Sequence, residues 1–190
     1  MTTRQRRWLL SGGIGSGKSA IRILFEEFGL ATIDADSIGH EVLEPNGPAF
    51  AQVVDRWPEV LIDGRIDRKA LGSIAFASEP ELKALEGITH SHIFGRINQR
   101  VQRIDGSVIV EIPLLSPSLG DGWRRIVVDS DEQTRVDRLI GRGMSIAEAH
   151  ARMRSQPSRP EWLAKGDLVI PNHGSLDELT MAARRLSGQL

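Results

Sequence analysis

Short apolar runs alternate with amphipathic stretches of helical length along most of this chain. The runs Trp8–Ser11, Leu30–Asp34, Ser107–Ile112, Arg125–Asp129 and Leu168–Ile170 are largely apolar, the pattern of strands covered on both faces. Around them, Lys18–Phe28, Glu132–Gly143, Ser145–Ser155 and Ser175–Leu186 repeat apolar positions with helical spacing, which predicts helices. Ser175 followed by Glu178 supplies the reciprocal side-chain cap of a helix start. Alternation of this kind predicts an α/β fold built on a parallel sheet.

One interval breaks the rhythm. About 70 residues separate the second and third strands, far more than a simple crossover requires. Asp67–Phe76 and Glu79–Arg103 read as helices there, with an apolar stripe at Leu82, Leu85, Ile88 and Ile93. The interval is either a long crossover or a helical subdomain that holds a second substrate. Its size favours the subdomain.

Composition narrows the function classes. With 190 residues, 40% hydrophobic and 26% charged, the chain suits one globular domain, with or without an insertion. It has no cysteine, which excludes a disulfide scaffold, a thiolate metal site and a cysteine nucleophile. No apolar run approaches the roughly 20 residues of a membrane span. Behind the basic N-terminus, Trp8-Leu9-Leu10 is too short for a signal peptide. A cytoplasmic protein without a membrane partner is therefore expected. The net charge of -1 speaks against nucleic acid as a partner. Arginine outnumbers lysine 20 to 4, and guanidinium suits bidentate phosphate contacts. Coding bias explains that total equally well, so only the positions of the arginines inform.

Gly12-Gly13-Ile14-Gly15-Ser16-Gly17-Lys18-Ser19 satisfies G-x-x-x-x-G-K-[ST] between a predicted strand and a predicted helix. Glycines let backbone N–H groups converge on phosphate oxygens, and the helix N-terminus behind them adds partial positive charge. Lys18 is placed to reach the β and γ phosphates, and the Ser19 hydroxyl to ligate Mg²⁺. The segment predicts a nucleoside triphosphate site.

The second strand ends in Asp34-Ala35-Asp36, at the strand edge where open α/β sheets bind ligands. Strand alternation allows the two carboxylates to share a side. One of them can accept a substrate hydroxyl proton or hold Mg²⁺ through water, while Asp36 can also cap a helix over Ser37–Leu43. Further on, Arg135, Arg138 and Arg142 fall on roughly one helix face, followed by Arg152, Arg154 and Arg159. They are either solvated surface groups or a lid that neutralises a transferring phosphoryl group. Beside a phosphate loop the lid is the better reading, with Arg142 its first candidate because Gly141 and Gly143 flank it. His90 and His92, two apart on a helix, do not share a face and make a poor metal site. His40, His150 and His173 are isolated, and Ser116-Pro117-Ser118 reads as a loop rather than a nucleophile turn.

Taken together, these residues resemble the dephospho-CoA kinase family. Gly12–Ser19 and Ile33-Asp34-Ala35-Asp36 are similar to its first two motifs. Glu44-Pro45 with Gly47, then Asp63-Gly64-Arg65-Ile66-Asp67-Arg68-Lys69-Ala70-Leu71, resemble its substrate-domain entry. His90 with Ile93 and Ile112-Pro113-Leu114-Leu115 resemble further elements. Arg152 with Gln156 and Asp167, Asn172 and Gly174 resemble its lid and nucleotide-base loop. The likeness runs from about Leu9 to Leu179. It departs at Ser91, where the family usually has Pro, at Ser116 and Pro117, at Trp162 in place of a common Lys, and at Pro171 in place of Asp.

The resemblance implies a three-layer P-loop kinase with a five-stranded parallel sheet. The nucleotide core would comprise 1–35, 106–131 and 164–190, the helical acceptor subdomain 36–105 and the lid 132–163. It implies transfer of the ATP γ-phosphate to the ribose 3′-hydroxyl of dephospho-CoA, by a protein expected to be monomeric. Asp36 becomes the base, with Asp34 beside it, and Lys18 and Arg142 stabilise charge. Gly13, Ile14, Gly15, Ser16, Gly17, Lys18, Ser19, Ala20, Arg142, Asn172 and Gly174 become the ATP contacts. Arg68, His90, Arg96, Pro113, Leu114 and Leu115 join Asp36 on the acceptor, and Ser19 carries Mg²⁺ with the ATP phosphates. Another P-loop kinase, or an ATP-binding switch without turnover, is the alternative.

Overall fold

The computed structural model describes residues 6–115, 117 and 119–190. Strand β1 (Arg7–Ser11) leads through the phosphate loop into α1 (Lys18–Glu27) and on to β2 (Ala31–Asp34). Then come α2 (Ala35–Val42), α3 (Phe50–Arg56), the hairpin strands β3 (Leu61–Ile62) and β4 (Arg65–Ile66), α4 (Arg68–Ala77) and α5 (Glu79–Val101). The chain returns to β5 (Val108–Glu111) and β6 (Trp123–Asp129). It ends with α6 (Glu132–Gly141), α7 (Ile146–Arg154), α8 (Arg159–Ala164), β7 (Leu168–Pro171) and α9 (Leu176–Ser187). Ser116, Ser118 and residues 1–5 lie outside the described residues.

The five long strands form a parallel sheet in the order β2-β5-β1-β6-β7. β1 is central, with Leu10 opposite both Glu111 and Ile126. Its alternating residues explain the layering. Trp8 and Leu10, with Ile109, Ile126, Val128 and Ile170, pack against Ile21, Leu24 and Phe25 of α1 and Leu179, Ala183 and Leu186 of α9. Arg125 and Val127 point the other way. There α8 packs on β6, and a Cβ on Gly166 would meet Val127 Cγ2 at 3.0 Å. Helices thus cover both faces, and the side chains between sheet and helices are mostly apolar, with Arg125 a buried exception.

The chain divides into two compact units, one running to Ile33 and resuming from Arg103 to Leu190, the other Asp34–Gln102. In the second, Val53, Trp57, Val60, Ile66 and Leu71 form an apolar core that Leu85 and Ile88 of α5 join. α5 runs unbroken through Ser91, where a proline would remove a helical N–H and clash with the preceding turn.

Four elements escaped the periodic pattern. α3 has only seven residues, too short to establish a period. β3 and β4 have two each, and their signal was the Asp63-Gly64 turn, both residues in the left-handed region (φ 48 and 74) as two-residue hairpins require. α8 starts at a Ser158–Glu161 capping box, the same signal that announced α9. One helix start is corrected. Asp34, not Asp36, caps α2, its Oδ1 accepting the N–H groups of Asp36 (2.9 Å) and Ser37 (3.3 Å). The helix begins at Ala35, so Asp36 sits in its first turn and does not share a strand face with Asp34.

Candidate nucleotide site

The loop between β1 and α1 is pinned by side chains that arrive from distant parts of its own unit. The Ser16 carbonyl accepts from Asn172 Nδ2 (2.7 Å), Ser130 Oγ (3.2 Å) and Arg138 Nη1 (3.3 Å). Arg138 also donates to the Gly15 carbonyl (3.3 Å) and to Asn172 Oδ1 (3.0 Å). Arg135 Nε donates to the Ile14 carbonyl at 2.7 Å. In a trans peptide the N–H points opposite to its C=O. Binding the carbonyls of Ile14 and Ser16 from one side therefore turns the Gly15 and Gly17 N–H groups away from that side. Behind them, the first N–H groups of α1, at Lys18, Ser19 and Ala20, point out of the helix end. The result is a row of donors shaped for phosphate oxygens.

The glycines answer to this packing as well as to phosphate. At Gly13 an added Cβ would fall 2.4 Å from the Arg135 guanidinium. At Gly17, left-handed with φ 97, it would fall 2.2 Å from Asn172 Nδ2. Lys18 Nζ donates to the carbonyls of Gly12 (2.9 Å) and Gly13 (3.2 Å), which keeps the ammonium at the loop.

Glu111 ends β5 beside the loop and is only 7% exposed. It accepts the Ser19 hydroxyl (2.8 Å) on one oxygen and Arg22 Nε (3.0 Å) on the other. A hydroxyl beside a carboxylate is the hard-oxygen pair that suits Mg²⁺. Among the described residues no cluster of three or more His, Cys, Asp or Glu makes an ion cage, so an ion here would draw its remaining ligands from phosphates and water. Sequence reading passed over Glu111. The signal was a lone acid closing an otherwise apolar strand.

Arg135 is as buried as Glu111, and burial pushes its guanidinium below the usual range, with Glu132 and Asp129 opposing the shift. Asp129, at the end of β6, receives Arg159 through two bonds (2.7 and 2.8 Å) and His173 Nε2 at 3.4 Å. The Arg159 hydrogen bonds hold its carboxyl below the ordinary value, against the effect of burial. Asp131 caps α6 and is lowered to about 2, chiefly by the Thr134 N–H and then the Thr134 hydroxyl. Trp162, the departure on α8, is buried and lines a small cavity with Gly13, Ser16 and Asp129.

The other anticipated residues fall as follows. Asn172 is 4% exposed, its amide engaged by Ser16 and Arg138. Gly174 lies against the Glu178 carboxylate of the α9 capping box. Arg142 forms the C-cap of α6 and is exposed, ahead of Gly143 in the left-handed region (φ 88). It does not join Arg135 and Arg138 at the loop. After β5, the carbonyls of Leu114 (3.0 Å) and Leu115 (2.7 Å), following Pro113, are held by the buried Arg125, which also donates to Ser11 Oγ.

In the second unit, Asp36 is exposed and Arg68 opens α4. His90 stacks at a tilt on Phe94, with centroids 5.1 Å apart. Arg96 pairs with Glu41 (3.2 Å) and lines an open cleft of about 440 Å³ with Pro48, Ser91, His92 and Gln99.

Residues 9–178 match the sequence model of the dephospho-CoA kinase family. A dephospho-CoA kinase of Thermobifida fusca is 38% identical over 177 residues, spanning 90% of this chain and 88% of that one. A Thermus thermophilus protein of solved structure superposes with a TM-score of 0.85 at 29% identity, covering 99% of each chain. A dephospho-CoA kinase from Campylobacter jejuni gives 0.72 at 27%, covering 97% of this chain and 96% of its own.

Proposed function

The chain belongs to the dephospho-CoA kinase family, and on that premise we propose which of its residues carry the transfer. It phosphorylates the ribose 3′-hydroxyl of dephospho-CoA with ATP, releasing coenzyme A and ADP. The observation that carries the assignment of roles is the braced loop, its donors turned one way and its Ser19–Glu111 pair at one end.

The N–H groups of Gly15, Gly17, Lys18, Ser19 and Ala20 hold the ATP phosphates, and the Lys18 ammonium neutralises charge on the β and γ groups. Ser19 and Glu111 would hold Mg²⁺ with the phosphates, where the ion supplies further charge neutralisation. Asp34 caps α2 through its Oδ1, which favours Asp36 as the base. Its carboxylate takes the 3′-hydroxyl proton as that oxygen bonds to the γ phosphorus, while the bond from γ phosphorus to the β-bridging oxygen breaks and ADP leaves. Arg142, on an exposed helix end, neutralises the equatorial oxygens. The loop 172–174 borders the adenine, with Asn172 acting through the phosphate loop that it braces. Pro113, Leu114 and Leu115 touch the acceptor, and Arg68, His90 and the Arg96 cleft hold its pyrophosphate and tail.

Acceptor-dependent ADP release tests this assignment. We expect coenzyme A as product and no comparable turnover with nucleoside monophosphates. Asp36→Asn should lose roughly 10²- to 10⁴-fold in kcat, the usual contribution of general base catalysis, and keep ATP affinity. Full turnover in that variant would reject Asp36 as base.

A further inference from the structure

We propose that Gln156 is a positioning residue through which the segment between α7 and α8 sets the shape of the phosphate loop. The inference rests on reading that loop as the ATP phosphate site. Ile14 is gripped on both of its backbone polar groups. Its N–H donates to Gln156 Oε1 at 2.7 Å, and its carbonyl accepts Arg135 Nε at 2.7 Å. The two partners come from different elements, Arg135 from α6 and Gln156 from the short stretch after α7. Among the described residues, Ile14 stands out in the loop for having a side chain on both its N–H and its C=O.

The grip has three physical consequences. The Ile14 N–H is spent on Gln156, so the phosphate donors begin at Gly15 rather than at Ile14. Fixing two successive peptide planes fixes the orientation of the Gly15 N–H, which shares its peptide with the Ile14 carbonyl. Finally, the Gln156 side chain reaches the loop from a stretch held at both ends. On one side its own N–H bonds the Met153 carbonyl (3.3 Å). On the other, α8 is anchored by buried Trp162 and by Arg159 on Asp129. Little backbone freedom is left to lose when the bond forms.

The chemistry of the residue fits the place. An amide oxygen accepts the Ile14 N–H without bringing a negative charge beside the triphosphate. A carboxylate would accept the same bond but repel the ligand, and an apolar side chain of equal length would accept nothing.

The test compares Gln156→Met and Gln156→Glu with wild type, reading Ile14 amide exchange without nucleotide and steady-state kinetics with ATP varied. In Gln156→Met we expect Ile14 to exchange roughly tenfold faster and KM for ATP to rise about three- to tenfold, the range one net hydrogen bond is worth. Its kcat and melting temperature should stay near wild type. In Gln156→Glu, Ile14 protection should persist while KM for ATP rises above wild type by a factor that shrinks with added salt. Unchanged Ile14 exchange in Gln156→Met would overturn the grip itself. Faster exchange with an unchanged KM would overturn the positioning role, as would parallel losses of kcat and melting temperature. Failure of wild type to bind ATP at all, with Ile14 protected, would instead remove the phosphate-site reading and the positioning role with it.

Discussion

The loop after β1 is held by polar side chains arriving from far along the chain, whereas the unit Asp34–Gln102 is held by an apolar core whose members lie close in sequence. Ser16 meets Ser130, Arg138 and Asn172, all more than a hundred residues away. Val53, Trp57, Val60, Ile66 and Leu71 meet one another within a span of twenty. In the helical unit ion pairs such as Arg56–Glu81, Arg96–Glu41 and Arg100–Glu41 lie towards the surface, where such pairs contribute little to stability. At the loop the polar groups are buried, and a missing partner leaves a desolvated donor or acceptor. Apolar packing tolerates some imprecision in a binding unit. A row of phosphate donors does not, because each N–H direction has to be fixed.

The largest effect that would sharpen this contrast lies in the helical unit. Leu71→Ala empties a site in its core and should cost about 2–5 kcal/mol, read by urea unfolding. Since the phosphate donors all belong to the other unit, ATP affinity in that variant should stay within about twofold under conditions where it is folded. A large loss of ATP affinity would show that the two modes of support are not separable. Arg138→Ala should be smaller in stability but reach function directly. It removes a charged donor from the Gly15 carbonyl and from Asn172 Oδ1, worth about 1.5–3 kcal/mol. It should weaken ATP binding roughly tenfold by isothermal titration. Arg138→Lys keeps the charge but not the fork that spans loop and asparagine, and should recover little. Full recovery would make Arg138 a point charge rather than a brace.

The same contrast governs what could be read from the chain. The five main strands and the longer helices appeared because burial leaves a period in the sequence, and the phosphate loop appeared because its spacing is local. Asp34 and Asp36 were found together, but their division of labour depended on where one helix begins, a matter of a single residue. Arg135 and Arg138 were read as part of an arginine face with Arg142. A helix face does not reveal that two of its residues turn under a loop more than a hundred positions earlier. Glu111 was hidden inside a strand for a related reason: its partners Ser19 and Arg22 become neighbours only once β5 lies beside β1. Trp162 stood out as a departure from the family, and only its burial against the underside of the loop gives it a place.

The smallest expected effect concerns acid. Asp129 and Asp131 both have carboxyl groups held below the ordinary value of 3.8, the first chiefly by Arg159 and the second, at about 2, chiefly by the Thr134 N–H. A carboxyl lowered on folding stabilises the folded state above its unfolded value, and that contribution fades as pH falls through the folded value. The links from Asp129 to α8 and from Asp131 to the start of α6 should therefore be flat in pH from 5 to 8 and weaken only below about pH 4. Trp162 sits beside Asp129 at the same cavity and reports on the α8 link. Its emission, taken as the difference between wild type and Trp162→Phe, should hold steady to pH 5 and shift only in stronger acid. A transition above pH 5 would show that these two carboxylates do not set the acid response of this side of the site. A steady signal would place the Arg159–Asp129 link of α8 beyond the reach of ordinary pH change, as a guanidinium on a carboxylate held below its ordinary value requires.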